Sequence, residues 1–233
     1  MGEHGIAGYP TRLASPYTFK ASPYSSHSKL LELLPPAEGR RVLDIGCGPG
    51  YLCQALRDRG YEVTGIERAG WGPPEGANGF TLVEADLETG LPPLDGRFDA
   101  IVCADVLEHL RDPLTLLRQL RGVLKPGGRL IASLPNSGHL YFRLVVLSGR
   151  FPKRDKGLFD RTHVHFLTWD GWAALLRDGG FDILDVHPTA VPVSLVFPEY
   201  EGNPAIRSVE QLSYLFARLR KQLFAYQFVV VAR

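Results

Sequence analysis

Three glycines, Gly46, Gly48 and Gly50, stand in the segment VLDIGCGPGYL, between a short apolar run and a stretch of helical character. Glycines at such a junction let the backbone turn tightly and approach a ligand with no Cβ in the way, at the sheet edge where open α/β folds hold nucleotide-like groups. The third glycine comes one residue too early for the dinucleotide pattern G-x-G-x-x-G, position 51 is Tyr, and the Lys-Ser/Thr ending of a phosphate loop is missing. Glu67 ends the next apolar run. An acid there can accept hydrogen bonds from a ribose 2′- and 3′-diol and selects against a 2′-phosphate. Asp44 lies in the apolar run just before the glycines and Asp86 follows a third such run.

A second set of reactive residues lies further along, in Asp160-Arg161-Thr162-His163-Val164-His165-Phe166. If the segment is extended, alternation puts His163 and His165 on one face. A near-neutral imidazole suits the proton of a hydroxyl acceptor, so His163, with His165 and His109, is a candidate general base. The same histidines also fit a plain bridge from a loop to the core. A zinc cage asks for at least a third ligand and the spacing declares none, so no metal is expected. Asp105, Glu108 and His109 follow a fourth apolar run, where contact with ligand and simple capping or packing both stay open. Cys47, Cys53 and Cys103 are odd in number and lack CxxC spacing, which points to reduced thiols, with Cys47 a small loop filler rather than a nucleophile.

The elements that must position these groups follow from periodicity. Arg41–Ile45, Tyr61–Glu67, Phe80–Glu84, Phe98–Cys103 and Arg129–Ser133 read as strands, and Ser28–Leu34, Tyr51–Arg59 and Pro113–Leu124 as helices, the last with Asp112 as its cap. Strands alternating with helices imply a mainly parallel sheet with right-handed crossovers. About thirty residues then pass before a helix that starts after Thr168 and ends at Gly179-Gly180, and a loop of that length usually carries function. Phe181–His187 reads as a strand, Ala205–Gln222 as a helix and Tyr226–Ala232 as a final strand; residues 1–23 read as a loose arm.

VLDIGCGPG resembles motif I of class I S-adenosylmethionine-dependent methyltransferases, and GIE at 65–67, EADL at 84–87, FDAIVCADVLEHL at 98–110 and LKPGG at 124–128 are similar to that family's next signatures in the same order. The resemblance implies an α/β, Rossmann-like sheet of seven strands, mainly parallel with the last antiparallel, helices on both faces and a lid inserted after the fifth strand. One domain over 1–233 is expected: an N-terminal arm and helix (1–39), a cofactor-binding core (40–133), the substrate lid (134–167) and the C-terminal part of the sheet (168–233). It further implies that Asp44, Gly46, Cys47, Gly48, Gly50, Glu67, Arg68, Asp86, Leu87, Ala104 and Asp105 hold S-adenosyl-L-methionine and its product S-adenosyl-L-homocysteine. Asp44 then organises the methionine end and Asp86 meets the adenine amino group. The D-R-T-H element is similar to one found near the substrate mouth in members associated with glycan, lipid or quinone modification, which points to a small-molecule, glycan- or lipid-type acceptor and to O-methylation.

At 233 residues with 45% hydrophobic and 22% charged residues, the composition is ordinary for a globular protein. The net charge of +1 recommends no nucleic-acid partner, and the turn Leu134-Pro135-Asn136-Ser137 lacks the NPPY pattern of adenine methyltransferases of nucleic acids. No apolar run approaches a membrane span, Met1 to Pro16 lacks a signal-peptide core, and Ile6 stands where a myristoylation motif wants Ser or Thr, so a cytoplasmic enzyme is expected. Leu140–Leu147 (LYFRLVVL) suits core or lid packing, with a helix lying on a membrane surface as the alternative, so peripheral membrane contact stays open. Two other functions are weighed: a cofactor-binding partner subunit without transferase activity, and a nicotinamide-dependent oxidoreductase.

Overall fold

The structure, a computed structural model, describes residues 20, 22–73, 79–193 and 203–233. Most of the expected N-terminal arm, and residues 74–78 and 194–202, lie outside the described residues. Seven strands form one sheet: β1 (Arg41–Ile45), β2 (Glu62–Glu67), β3 (Thr81–Glu84), β4 (Phe98–Ala104), β5 (Leu124–Pro135), β6 (Ile183–Pro188) and β7 (Gln227–Ala232). Their order is β3-β2-β1-β4-β5-β7-β6, with β1 to β5 parallel and β7 antiparallel to both of its neighbours. The seven-stranded, mainly parallel sheet with an antiparallel last strand is thus present.

The sheet is coated on both faces because its central strands are apolar on both. Leu43 and Ile45 of β1 face one core with Leu116 and Leu120 of α3 (Pro113–Val123) and Trp172 and Leu176 of α5 (Trp169–Asp178). Val42, one residue out of step, faces the other core with Leu30 of α1 (Ser26–Leu33) and Leu56 of α2 (Tyr51–Asp58). The caps agree with the chemistry of the sequence. Asp112 accepts from the Thr115 backbone N–H at 3.0 Å ahead of Pro113, and Ser25 accepts from Ser28 at 3.2 Å, each worth about 1 kcal/mol. Gly180, at φ +84°, lets the chain leave α5 in the left-handed conformation.

Three boundaries differ from expectation. The LKPGG turn is the start of β5: Phe98 pairs with Leu124 and Ala100 with Arg129, so the intervening residues form an irregularity in the strand, with Gly127 at φ +78°. The long stretch after β5 contains α4 (Leu140–Leu147), capped by the His139 side chain, and folds around its own core of Phe142, Leu158 and Phe159. Its two ends are stitched together where Ser137 N–H donates to Leu167 O at 3.1 Å. The single helix expected over Ala205–Gln222 is split at Arg220 (φ −139°, ψ 75°) into α6 (Pro204–Leu219) and α7 (Lys221–Phe224), and no Gly or Pro marks the break. No helix among the described residues is long and apolar enough to cross a membrane.

Candidate active site

The glycine loop hangs from the end of β2. Gly46 and Cys47 both donate their N–H to Ile66 O, at 2.9 and 3.0 Å, so the loop cannot drift from the strand that carries Glu67. Glu67 is held in turn: one carboxylate oxygen accepts from Gly48 N–H at 2.6 Å and the other from Arg68 N–H at 2.8 Å. Gly46, Gly48 and Gly50 have φ of +67°, +52° and +83°, conformations that side chains rarely adopt. They serve different ends. A Cβ on Gly46 would stand 2.6 Å from Val106 Cγ2 and one on Gly50 2.9 Å from Phe80, whereas one on Gly48 would meet nothing within 4 Å. The space at Gly48, beside the Glu67 carboxylate, is open, and an acid with lone pairs to spare beside a bare backbone is chemically suited to a ribose diol.

The other residues expected at the cofactor are placed as follows. Asp44 is buried in β1 and accepts from the Cys53 thiol at 3.2 Å. Burial pushes its carboxyl up to about 7; the Cys53 hydrogen bond opposes the rise and the Glu67 charge adds to it. Burial thus favours the protonated form of this carboxyl. Gly65 makes room beneath: its Cβ would fall 2.9 Å from both the Cys47 and Cys53 sulfurs. All three cysteines are free and buried. The hydrogen bond from Cys47 and burial push the Cys53 thiol far up, and burial does the same to Cys103, so neither is a nucleophile at neutral pH. Asp86 caps the short 3-10 turn Leu87–Thr89 and pairs with Arg68 at 3.2 Å across a half-exposed gap, a contact worth at most ~1 kcal/mol. Leu87 packs against the core behind it, and Ala104 closes β4.

Asp105 is the first residue past β4, left-handed at φ +57°. Its carboxylate accepts from Lys20 Nζ at 2.6 Å, from Gln227 Nε2 at 2.7 Å and from the Ser133 hydroxyl. Burial works against the charge, but the Lys20 ammonium and these hydrogen bonds outweigh it and hold the carboxyl down at about 2. Lys20, Ser133 and Gln227 belong to none of the sequence motifs. The signal for two of them was a polar residue inside an apolar strand, in LIASLP and QFVVVA; Lys20 had none. Lys20→Met is expected to destabilise the protein by about 1–3 kcal/mol, the buried-pair cost discounted for partial exposure. Because the Asp105 pKa is depressed, its contribution is present above the ordinary carboxylate range and lost as pH falls through about 2. A thermal melt at neutral pH no lower than wild type would show that the pair contributes nothing.

The 3-10 turn Leu107–His109 brings the central strand edge to the histidine segment. The Glu108 carbonyl accepts from Val164 N–H at 2.9 Å and His165 N–H at 3.2 Å, so this turn anchors the segment. The His109 and His163 rings meet edge to face with centroids 4.8 Å apart, and His163 Nε2 lies 3.9 Å from a Glu108 oxygen. That contact is no salt bridge: burial and the neighbouring His109 push the His163 pKa down to about 4, and burial drives the Glu108 carboxyl well up, so both favour their neutral forms. His165 points its Nε2 into a buried position without a hydrogen-bond partner and stands apart from this cluster. Asn136 spends its amide on the Gln222 and Ala225 carbonyls and on Gly138 N–H, a structural use. Two cavities, of about 220 and 600 Å³, lie elsewhere, the larger between Trp169, Lys221 and Phe228.

Comparison with known proteins adds what geometry leaves open. Residues 20–186 match the family model described as a methyltransferase domain. A ubiquinone biosynthesis O-methyltransferase of Xanthomonas axonopodis pv. citri is 30% identical over 193 residues, 78% of this chain and 76% of that protein. One of the same name from Cereibacter sphaeroides is 34% identical over 158 residues, 64% of this chain and 63% of that protein's length. Among solved structures, an S-adenosylmethionine-dependent methyltransferase from Mesorhizobium loti superposes with a TM-score of 0.61 at 21% identity, over 90% of this chain and 98% of that one, a likeness of fold.

Proposed function

This chain belongs to the methyltransferase-domain family, and from that premise we propose that it moves the methyl group of S-adenosylmethionine to an oxygen of a small molecule or of a glycan- or lipid-linked intermediate. The observation that carries the reading is Glu67, whose carboxylate is pinned to Gly48 N–H beside open space at that glycine. Relatives named for O-methylation favour an oxygen acceptor.

Once bound, the donor supplies a methyl group that its sulfonium has already made electrophilic. The protein's share is then largely positioning, which for well-aligned pairs is worth roughly 7–11 kcal/mol. Glu67 takes the ribose diol, Asp86 and Arg68 edge the adenine side, and Asp44 and the Gly46–Gly50 loop floor the site. His109 and His163, on the turn just past Asp105 and on the segment tied to it, form the polar wall at which an acceptor hydroxyl is activated.

Calorimetry with S-adenosylhomocysteine and with NADH tests the reading. Glu67→Ala is expected to weaken S-adenosylhomocysteine binding ten- to a hundredfold, the loss of a charge-assisted contact of about 1.5–3 kcal/mol. Binding of the dinucleotide alone would defeat the proposal. A labelled methyl-donor screen of sugars, quinols, phenols, lipids and amines, with Glu67→Ala as control, then identifies the acceptor.

A further inference from the structure

The spacing of the histidines declared no third ligand, but the fold brings one. Glu108, His109 and His163 each offer one ligand atom, and the three atoms lie within 4.8 Å of one another. Glu108 is 1% exposed and its Oε2 has no hydrogen-bond partner. A buried carboxylate oxygen left without a partner is costly, and native structures seldom keep one without a use for it.

The tautomer of His109 follows from its neighbours. Asp160 Oδ1 accepts from the Thr162 backbone N–H at 2.8 Å and from the Thr162 hydroxyl at 2.6 Å. With its proton committed to Asp160, the hydroxyl oxygen can only accept, and His109 Nδ1 lies 3.0 Å from it and 3.3 Å from the Thr162 carbonyl, a second acceptor. Nδ1 therefore carries the proton, and Nε2 is left with its lone pair. An imidazole whose other nitrogen donates to a fixed oxygen is the arrangement that orients histidine ligands in metal sites.

We propose that Glu108, His109 and His163 form a binding site for one divalent transition cation of the zinc type. Two imidazoles and one carboxylate are a donor set suited to zinc, with ligand distances of about 2.0–2.2 Å, and three protein ligands leave a position open. Nitrogen donors disfavour magnesium and calcium. The three side chains need only draw together around the ion, because Glu108 and His109 are consecutive and the Val164 and His165 N–H groups already hold the neighbourhood of His163 to the Glu108 carbonyl. The use of the ion rests on the methyl-transfer reading, though the binding does not. An acceptor hydroxyl in the open position would lose its proton to solvent buffer, its oxygen would form the O–CH3 bond, and the S–CH3 bond would break with its electron pair left on sulfur.

The test is titration of the full chain, freed of metal by chelator and dialysis, with Zn²⁺, Mg²⁺ and Co²⁺, alongside Glu108→Gln, His163→Ala and Thr162→Val. The expected result is one zinc per chain, negligible magnesium binding, and a cobalt spectrum with visible bands but without thiolate charge-transfer absorption. Glu108→Gln and His163→Ala should weaken zinc at least a hundredfold, and Thr162→Val about ten- to a hundredfold through the loosened His109. All three variants should bind S-adenosylhomocysteine as wild type does, which shows that they fold. No zinc binding, equal binding by wild type and Glu108→Gln, or a thiolate signature would overturn the site. If S-adenosylhomocysteine binds wild type while zinc does not, only this inference falls; if zinc binds and S-adenosylhomocysteine does not, only the donor assignment falls.

Discussion

His163→Ala is expected to lower kcat on the true acceptor by about 10²–10⁴-fold, the range set by loss of a group that activates a hydroxyl, while leaving KM for the methyl donor within a factor of a few. The split follows from geometry. His163 sits against His109 and Glu108, which follow β4, whereas Glu67 and Gly48, proposed to bear on the donor, belong to β2 and the loop after β1. Steady-state rates at saturating donor give the number, and turnover unchanged from wild type would remove the histidine from the chemistry. Protonation should mimic the substitution. With its pKa pushed down to about 4, His163 stays neutral and usable to well below pH 6, so His163 itself should impose no acid limb near its ordinary pKa of 6.5. The same depression has a stability sign: the unfolded chain takes up the proton first, so this contribution is complete above about 6.5 and is lost as pH falls from there through about 4.

Gly46→Ala should be strongly damaging for the addition of a single methyl. Its Cβ would lie 2.6 Å from Val106 Cγ2, and Val has one stiff χ1 with no easy retreat. Overpacking costs about 1–3 kcal/mol and left-handed φ about 1–2 kcal/mol more, so the loss is about 2–5 kcal/mol. Donor binding should fall with it, because Gly46 N–H and Cys47 N–H tie the loop to β2. The double variant Gly46→Ala with Val106→Ala separates the two costs: chemical denaturation should recover the steric part and leave the backbone part. Gly48→Ala, with open space around its Cβ, should lose only the backbone part yet crowd the donor. Equal stability of Gly46→Ala and Gly48→Ala would show that the approach to Val106 is not tight.

Much of this protein is written in local pattern. Strict alternation assigns Val42 to one face and Leu43 to the other, the Gly-Cys-Gly-Pro-Gly turn demands left-handed backbone, Asp112-Pro113 announces a helix, and Glu67 at a strand end announces an acid over the loop. Each depends on residues a few positions apart, so periodicity and turn chemistry suffice to reveal it. The irregular start of β5 and the break at Arg220 were not legible, because packing against distant elements overrode the local preference. Only the tertiary structure could join Asp105 to Lys20 and Gln227, or set Glu108 against His163 and leave one buried oxygen waiting for a partner. Those groups lie on segments that no period connects. What brings them together is the order in which the strands close the sheet, a property of the whole chain rather than of any stretch within it.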